Sequence, residues 1–241
     1  MQSSFFCPKI ELTKHKIERL WVLNMSQRLF YHPLYTTQRL LDAGFTFRTI
    51  QDLIDQQKIV RIKRGLYVPA DRIHHQHECA FSLFSDALFC LMSAAFVYGY
   101  VYQQPKQIYI AANKNESRIK YRSDFLDIKT MYRDNKYFML GHDQTVFNGH
   151  HIHITDRERT VLDCIRHRNM IGSHAYHKVI EGYIEDPKKD VIALICYAKK
   201  MRIFKKVKLI FEPWIEDFTL LTEKAEPMCA KINAVVMDHE A

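Results

Sequence analysis

The sequence predicts an α+β protein in two parts: a small N-terminal domain of helices and a hairpin, then a larger domain with strands first and helices last. Three observations carry this. Residues 35–69, YTTQRLLDAGFTFRTIQDLIDQQKIVRIKRGLYVP, read as helix, tight turn, second helix and two strands. Residues 70–77, ADRIHHQH, form a polar break. Beyond it, strand-like runs at 107–111, 126–132, 145–147 and 151–154 precede a helical pattern that starts at Thr155. The expected bounds are 1–70 for the first domain (core 25–70), 71–77 for a linker, 78–220 for the second domain and 221–241 for a tail.

Taken in order, residues 10–31 form a candidate helix with Ile17, Leu20, Trp21, Met25, Leu29 and Phe30 on roughly one face. Thr36 or Thr37 is placed to cap the next helix, whose apolar face holds Leu40 and Leu41. Gly44 follows as a residue free to adopt the left-handed conformation that ends a helix. Thr46 caps a second helix, in which Ile50, Leu53 and Ile54 fall at i, i+3, i+4. That leaves Arg48, Thr49, Gln51, Asp52 and Gln56 on its outer side. Ile59, Val60, Ile62, Leu66, Tyr67 and Val68 then flank Lys63-Arg64-Gly65, a hairpin turn.

Helix–turn–helix followed by a hairpin is the winged-helix pattern, which sets the second helix in a DNA major groove and the wing beside the phosphates. Arg48 and Gln51 are then placed to reach base edges, arginine to guanine and glutamine to adenine. Thr49 suits a phosphate or a thymine methyl. Arg61, Lys63 and Arg64 suit phosphate contacts or entry into the minor groove. Asp52 and Asp55 restrict groove entry to the N-terminal half of the helix. The competing readings are a winged helix that packs only against protein, and for Arg48 a solvated helix face.

Charge supports the first reading. The chain carries a formal net charge of +8, which favours a polyanionic partner over an acidic substrate. Residues 1–70 hold 11 Lys and Arg against 5 Asp and Glu, and residues 71–241 hold 24 against 22. The excess sits with the winged-helix candidate, as counterion-driven binding to double-stranded DNA requires. Six cysteines, Cys7, Cys79, Cys90, Cys164, Cys196 and Cys229, lie far apart without a C-x-x-C pair. This argues against a disulfide framework and for a reducing, cytoplasmic setting. The N-terminus lacks an apolar run fit for a secretory signal. The uncharged stretch 87–102, ALFCLMSAAFVYGYVY, is too short to span a membrane and reads as a buried core helix.

In the second domain, residues 78–100 read as one apolar helix. Strands follow, the last pair joined by Asn148-Gly149, a strong hairpin signal. Thr155 and Glu158 fit a capping box at the start of a helix with Val161, Leu162 and Ile165 inward. A second helix covers 174–185 with Val179, Ile180 and Tyr183 inward. Asp186-Pro187 reads as the N-cap and first position of a third, running to about Met201, and a fourth covers 205–218.

Candidate chemistry is sparse. His74, His75, His77 and Cys79 cluster, as do His150, His151 and His153, but neither group has the usual spacing of zinc ligands. Solvated or hydrogen-bonded histidines are expected, and neither a metal nor a cofactor is. Asp156, Glu158 and Asp163 suggest nuclease carboxylates, yet a helix start explains the first two more simply. No Walker loop, nucleophile elbow or H-E-x-x-H is present, and no catalytic residue is assigned. Lys199, Lys200, Arg202, Lys205, Lys206 and Lys208 form a cationic stretch, either a polyanion-facing patch or a solvated surface.

Two blocks carry a family resemblance: the wing IVRIKRGLYVP at 59–69, and GHDQTVFNGHHIHITDRERTVLDCIRHRNMIG at 141–172, followed by EGYI, CYAKKMRI and LIFEPW. Together they resemble the AbiE-type antitoxins, the regulator half of bacterial abortive-infection toxin–antitoxin pairs, over most of residues 35–215. The central LMSAAFVYGY is similar to the family's helix after the linker. The resemblance implies a winged helix that binds inverted repeats in its own promoter and represses it. It also implies a C-terminal domain that counteracts a nucleotidyltransferase-like toxin, without a need for a stable complex, and no enzymatic activity. The segment before Tyr35 is longer than the family pattern, and residues 222–241 do not match it. The alternatives are a stand-alone winged-helix regulator with a ligand-sensing or assembly domain, and a nuclease built on the second domain.

Overall fold

The computed structural model describes residues 34–72 and 76–229. The helix expected at 10–31, Cys7, His74, His75 and residues 230–241 lie outside them. The chain divides into two compact units, residues 1–75 and 76–241, and the architecture is mixed α+β.

In the first unit β1 (Tyr35–Thr36) leads into α1 (Thr37–Asp42), and α2 (Phe47–Asp55) follows after a four-residue turn. The Thr36 hydroxyl accepts the Arg39 amide at 3.2 Å, capping α1. The helix ends in a Schellman motif. Gly44, at φ 90°, donates its N–H to the Leu41 carbonyl, and Phe45 donates to that of Leu40. Thr46 caps α2 as the sequence predicts. Strands β2 (Ile59–Lys63) and β3 (Leu66–Pro69) form the hairpin, and the antiparallel sheet runs β1-β3-β2. Tyr35, Leu40, Phe45, Ile50, Leu53, Ile59 and Tyr67 make one small core, with Leu41 and Ile54 packed against it.

Helix α2 ends in the same motif as α1, but with Gln57 in the left-handed position, at φ 56°. The Gln57 and Lys58 amides donate to the Ile54 and Leu53 carbonyls, each at 2.9 Å. A side chain there is disfavoured by roughly 1–2 kcal/mol. Gln57→Gly is therefore expected to raise the stability of this unit by about 0.5–1 kcal/mol after allowing for the entropy of glycine. Urea denaturation checks it; a lower midpoint contradicts this account of the turn.

The second unit opens with α3 (Gln76–Leu83), so Gln76 and His77, read as linker, are helical. The single helix expected over 78–100 is instead α3, strand β4 (Leu88–Phe89) and α4 (Leu91–Val97). The remaining elements are β5 (Ile108–Asn113), β6 (Ile128–Arg133), α5 (Asn135–Phe138), β7 (His142–Phe147), β8 (His150–Thr155), α6 (Arg157–Arg166), α7 (Arg168–Ile171), α8 (Ser173–Glu185), α9 (Val191–Lys200), α10 (Phe204–Phe211) and α11 (Phe218–Lys224). The sheet order is β6-β5-β4-β8-β7. Short β4 is its centre, parallel to β8 and antiparallel to β5.

Both faces of β4 are covered, which is why its sequence has no alternation. Leu88 belongs with Tyr109 and Ala111 to the core shared with α6, α8 and α9. Phe89, one residue on, meets Phe81 of α3 edge to face at 4.6 Å. A run of apolar residues buried on both sides carries no period, so strand and helix look alike in it.

Three helix boundaries also differ from expectation. The N-cap of α6 is Asp156, not Thr155, and its carboxylate accepts the Arg159 amide at 2.7 Å. The Thr155 hydroxyl pairs with that of Thr160 at 2.7 Å. Helix α9 starts from Asp190 rather than Asp186-Pro187, because Asp186 is held elsewhere. The helix expected over 205–218 stops at Phe211, and α11 follows a separate turn. Finally, Cys196 and Cys229 are joined as a disulfide with Cα atoms 4.9 Å apart. The expectation of no disulfide framework is corrected to that extent. Widely spaced cysteines gave no sign of the pair, since α11 and the turns beside it bring them together.

Candidate functional site

The outer surface of α2 and the hairpin beside it carry several charged side chains. Arg48, Gln51, Arg61, Lys63 and Arg64 are exposed and Thr49 is half-buried. Among the described residues no carboxylate pairs with Arg48, Arg61, Lys63 or Arg64. Among the described residues these four cations therefore face solvent without a counter-charge, and each would gain by meeting an anion.

The two polar non-cationic candidates are already engaged. Thr46 and Thr49 cap one another: the Thr46 amide donates to Thr49 Oγ1 at 2.8 Å, and the Thr49 amide donates to Thr46 Oγ1 at 3.2 Å. The Thr49 hydroxyl also donates to the Thr46 carbonyl at 2.9 Å. Its proton is used within the turn. Gln51 Nε2 donates to Asp55 Oδ1 one turn on, at 2.9 Å. In the hairpin, Arg61 stands opposite Tyr67, and an irregularity before Lys63 shifts the register so that Lys63 faces Leu66. Such a bulge adds local twist and re-aims the tip. One exposed residue escaped the sequence reading. Phe47, the first residue of α2, is 70% exposed. It precedes Ile50 and Ile54 by three and seven residues, and that spacing assigns it to the buried stripe. Only the structure shows it exposed.

In the second unit the TDRERTVLD segment is an interior ionic centre. Glu158, Arg159, Thr160 and Asp163 are buried. The Asp163 carboxylate accepts from Arg159 Nε at 3.1 Å and from the Arg133 guanidinium of β6. Burial alone pushes the Asp163 carboxyl up, but the two guanidiniums outweigh it and hold it below the usual range. Glu158 accepts the Asp190 amide at 2.7 Å and the Tyr183 hydroxyl at 3.2 Å. Asp156 caps α6 and accepts from the Tyr197 hydroxyl at 3.0 Å. Burial raises both of these carboxyls above their ordinary values. Asp186 accepts from Tyr100 and Arg157, each at 2.8 Å, with the Arg157 guanidinium over the Tyr98 ring. The backbone is tight here too. A Cβ on Gly141, at φ 67°, would lie 2.6 Å from that of Arg159 and 2.8 Å from Asp156 Oδ1.

The capping box read at Thr155–Glu158 is thus replaced by a longer-range arrangement. Asp156, Glu158 and Asp163, the suggested nuclease carboxylates, are each engaged in joining α6 to β6, α8 or α9. Of the cationic stretch, Lys199 pairs with Glu226 and lies over the Phe204 ring, and Lys208 pairs with Glu212. Arg202, Lys205 and Lys206 are exposed, and Lys200 is half-buried with a contact of its own.

Among the described residues no three His, Cys, Asp or Glu side chains form a metal-ligand group. His142 and His153 meet at 2.9 Å, while His151 is exposed. Burial pushes the Cys79 thiol up to about 11 and that of Cys90 to about 12, so neither is a nucleophile at neutral pH.

His77 is fully enclosed between α3 and α4. Its Nε2 is 3.2 Å from Ser93 Oγ, which also accepts the Tyr109 amide at 2.8 Å. Burial lowers its pKa to about 4. Folding keeps it neutral, so the associated stability is present above the unfolded value of about 6.5 and is lost as pH falls toward 4. A loss of about 3 kcal/mol over that window is expected. Denaturation midpoints across a pH series test this, since His77→Leu should flatten that limb of the profile and an unchanged profile would refute it.

No helix among the described residues is long and apolar enough to cross a membrane. No known family model matches the chain, and no curated protein matches it significantly.

Proposed function

We propose that this chain is a DNA-binding transcriptional autorepressor and antitoxin of the AbiE type, in which residues 35–69 act as a winged helix-turn-helix. The observation that carries the reading is the set of four uncompensated cations on α2 and the β2–β3 hairpin, beside a helix start ordered by the Thr46–Thr49 cap. In a winged helix those are the elements that meet the groove and the phosphates. Arg48 takes the base-edge role, and Arg61, Lys63 and Arg64 the phosphate role. The resemblance of residues 141–172 to the family's second domain supports the antitoxin half, with a nucleotidyltransferase-like toxin as the functional partner.

A mobility-shift titration on the DNA upstream of the gene, across a salt series, tests the DNA reading. The expected result is preference for an inverted repeat over a scrambled duplex, with affinity falling steeply as salt rises. Weak binding without preference refutes it. Co-expression with the neighbouring gene product tests the antitoxin half. Residues 78–220 are expected to be required for rescue, and rescue by residues 1–77 alone would contradict that division of labour.

A further inference from the structure

An exposed aromatic side chain, Phe47, stands beside Arg48 at the start of α2. Of the polar groups on its first two turns, the Thr49 hydroxyl is consumed by the Thr46 cap and the Gln51 amide is tied to Asp55. Asp52 and Asp55 are exposed on the second half of the helix and oppose close approach of phosphates there. What remains at the leading end is Arg48 and, beside it, Phe47, 70% exposed. A lone exposed apolar residue by itself says little. Its position is the argument. Side chains on a helix lean toward the N-terminus, so the Phe47 ring reaches past the first turn of α2. That leading end is the part of a recognition helix that meets base edges.

Phenylalanine has no hydrogen-bonding group, and the apolar feature that the major groove offers it is the C5 methyl of thymine. We infer that Phe47 is a specificity-determining residue that packs against a thymine methyl within a base pair or two of the guanine contacted by Arg48. This deepens the DNA-binding reading and rests on it. Arg61, Lys63 and Arg64 supply affinity on any sequence, Arg48 reads a guanine, and Phe47 selects for a methyl group.

The test uses the full chain, wild type and Phe47→Ala, on the upstream duplex made with thymine or with uracil, which lacks only the C5 methyl. Each methyl buried against the ring is expected to strengthen binding about fourfold. The wild type should therefore prefer the thymine duplex by about that factor or more, and Phe47→Ala should lose most of the preference. Phe47→Leu, which keeps an apolar contact, should retain part of it. Because Phe47 is exposed, all three proteins should melt alike. Equal thymine-to-uracil ratios for wild type and Phe47→Ala overturn the inference, as does a wild-type ratio of one. In those cases a persisting preference for the inverted repeat leaves the DNA-binding reading standing. A wild type with no preference between upstream and scrambled duplexes overturns both.

Discussion

Asp163→Ala is expected to destabilise the second unit by about 3–5 kcal/mol, the usual cost of removing one partner from a buried ionic set. Its side chain is 2% exposed and is shared by Arg133 and Arg159, whose side chains are 9% and 3% exposed. The centre already holds two guanidiniums for one carboxylate, and Nη1 of each arginine is buried without a hydrogen-bond partner. Deleting the carboxylate leaves two like charges in the interior without the counter-ion they share. A domain of this size commonly has a total stability of only about 5–15 kcal/mol.

Denaturant titration read by circular dichroism measures the effect, and a loss under about 1 kcal/mol would show that Asp163 does not neutralise the pair. Replacing all three residues by apolar ones of similar volume should recover much of the loss, because the desolvation of all three charges then disappears. The pH dependence follows the same logic. With its folded pKa depressed, Asp163 contributes stability above the ordinary carboxylate value of about 3.9, and this is lost as pH falls through the lower folded value.

The second large effect concerns the hairpin. Under the proposed function, replacing Arg61, Lys63 and Arg64 together by alanine should weaken DNA binding roughly 10²–10³-fold at about 0.1 M salt. Each phosphate contact contributes about 0.9 to the slope of log K against log salt, so the triple variant should be shallower by about 2.7. The preference for the inverted repeat over scrambled DNA should largely survive, because phosphate contacts position the protein without reading sequence. Arg48→Ala should do the reverse, costing about 1–3 kcal/mol on the cognate duplex and relaxing selectivity at one position. A triple variant with wild-type affinity and salt slope would remove the hairpin from the interface.

Where local rules act alone, the sequence was legible. Thr36, Gly44, Thr46, the Lys63-Arg64-Gly65 turn and the Asn148-Gly149 hairpin each follow from side chain and backbone chemistry within a few residues. All are found where the pattern places them. The apolar stripe Ile50–Leu53–Ile54 and the inward set Val179, Ile180 and Tyr183 follow from helical spacing against a single core. The exposed cations of the candidate interface were legible too, since a charged side chain on an amphipathic helix or a hairpin tip has little alternative to solvent.

The sequence by itself thus determined the helix–turn–helix–hairpin order of residues 35–69 and the charge that residues 1–70 carry. The tertiary structure decided what depends on contacts between distant segments. It made Leu88–Phe89 the central strand, because a run buried on both faces has no periodicity to read. It moved the cap of α6 to Asp156 and drew Glu158 to Tyr183 and Asp190, because buried polar groups must find partners wherever the fold supplies them. It turned Asp163 into the counter-ion of Arg133, which is 30 residues distant, and exposed Phe47 against its spacing. For the buried polar groups the deciding energy is desolvation, which depends on what surrounds a side chain rather than on its neighbours in sequence.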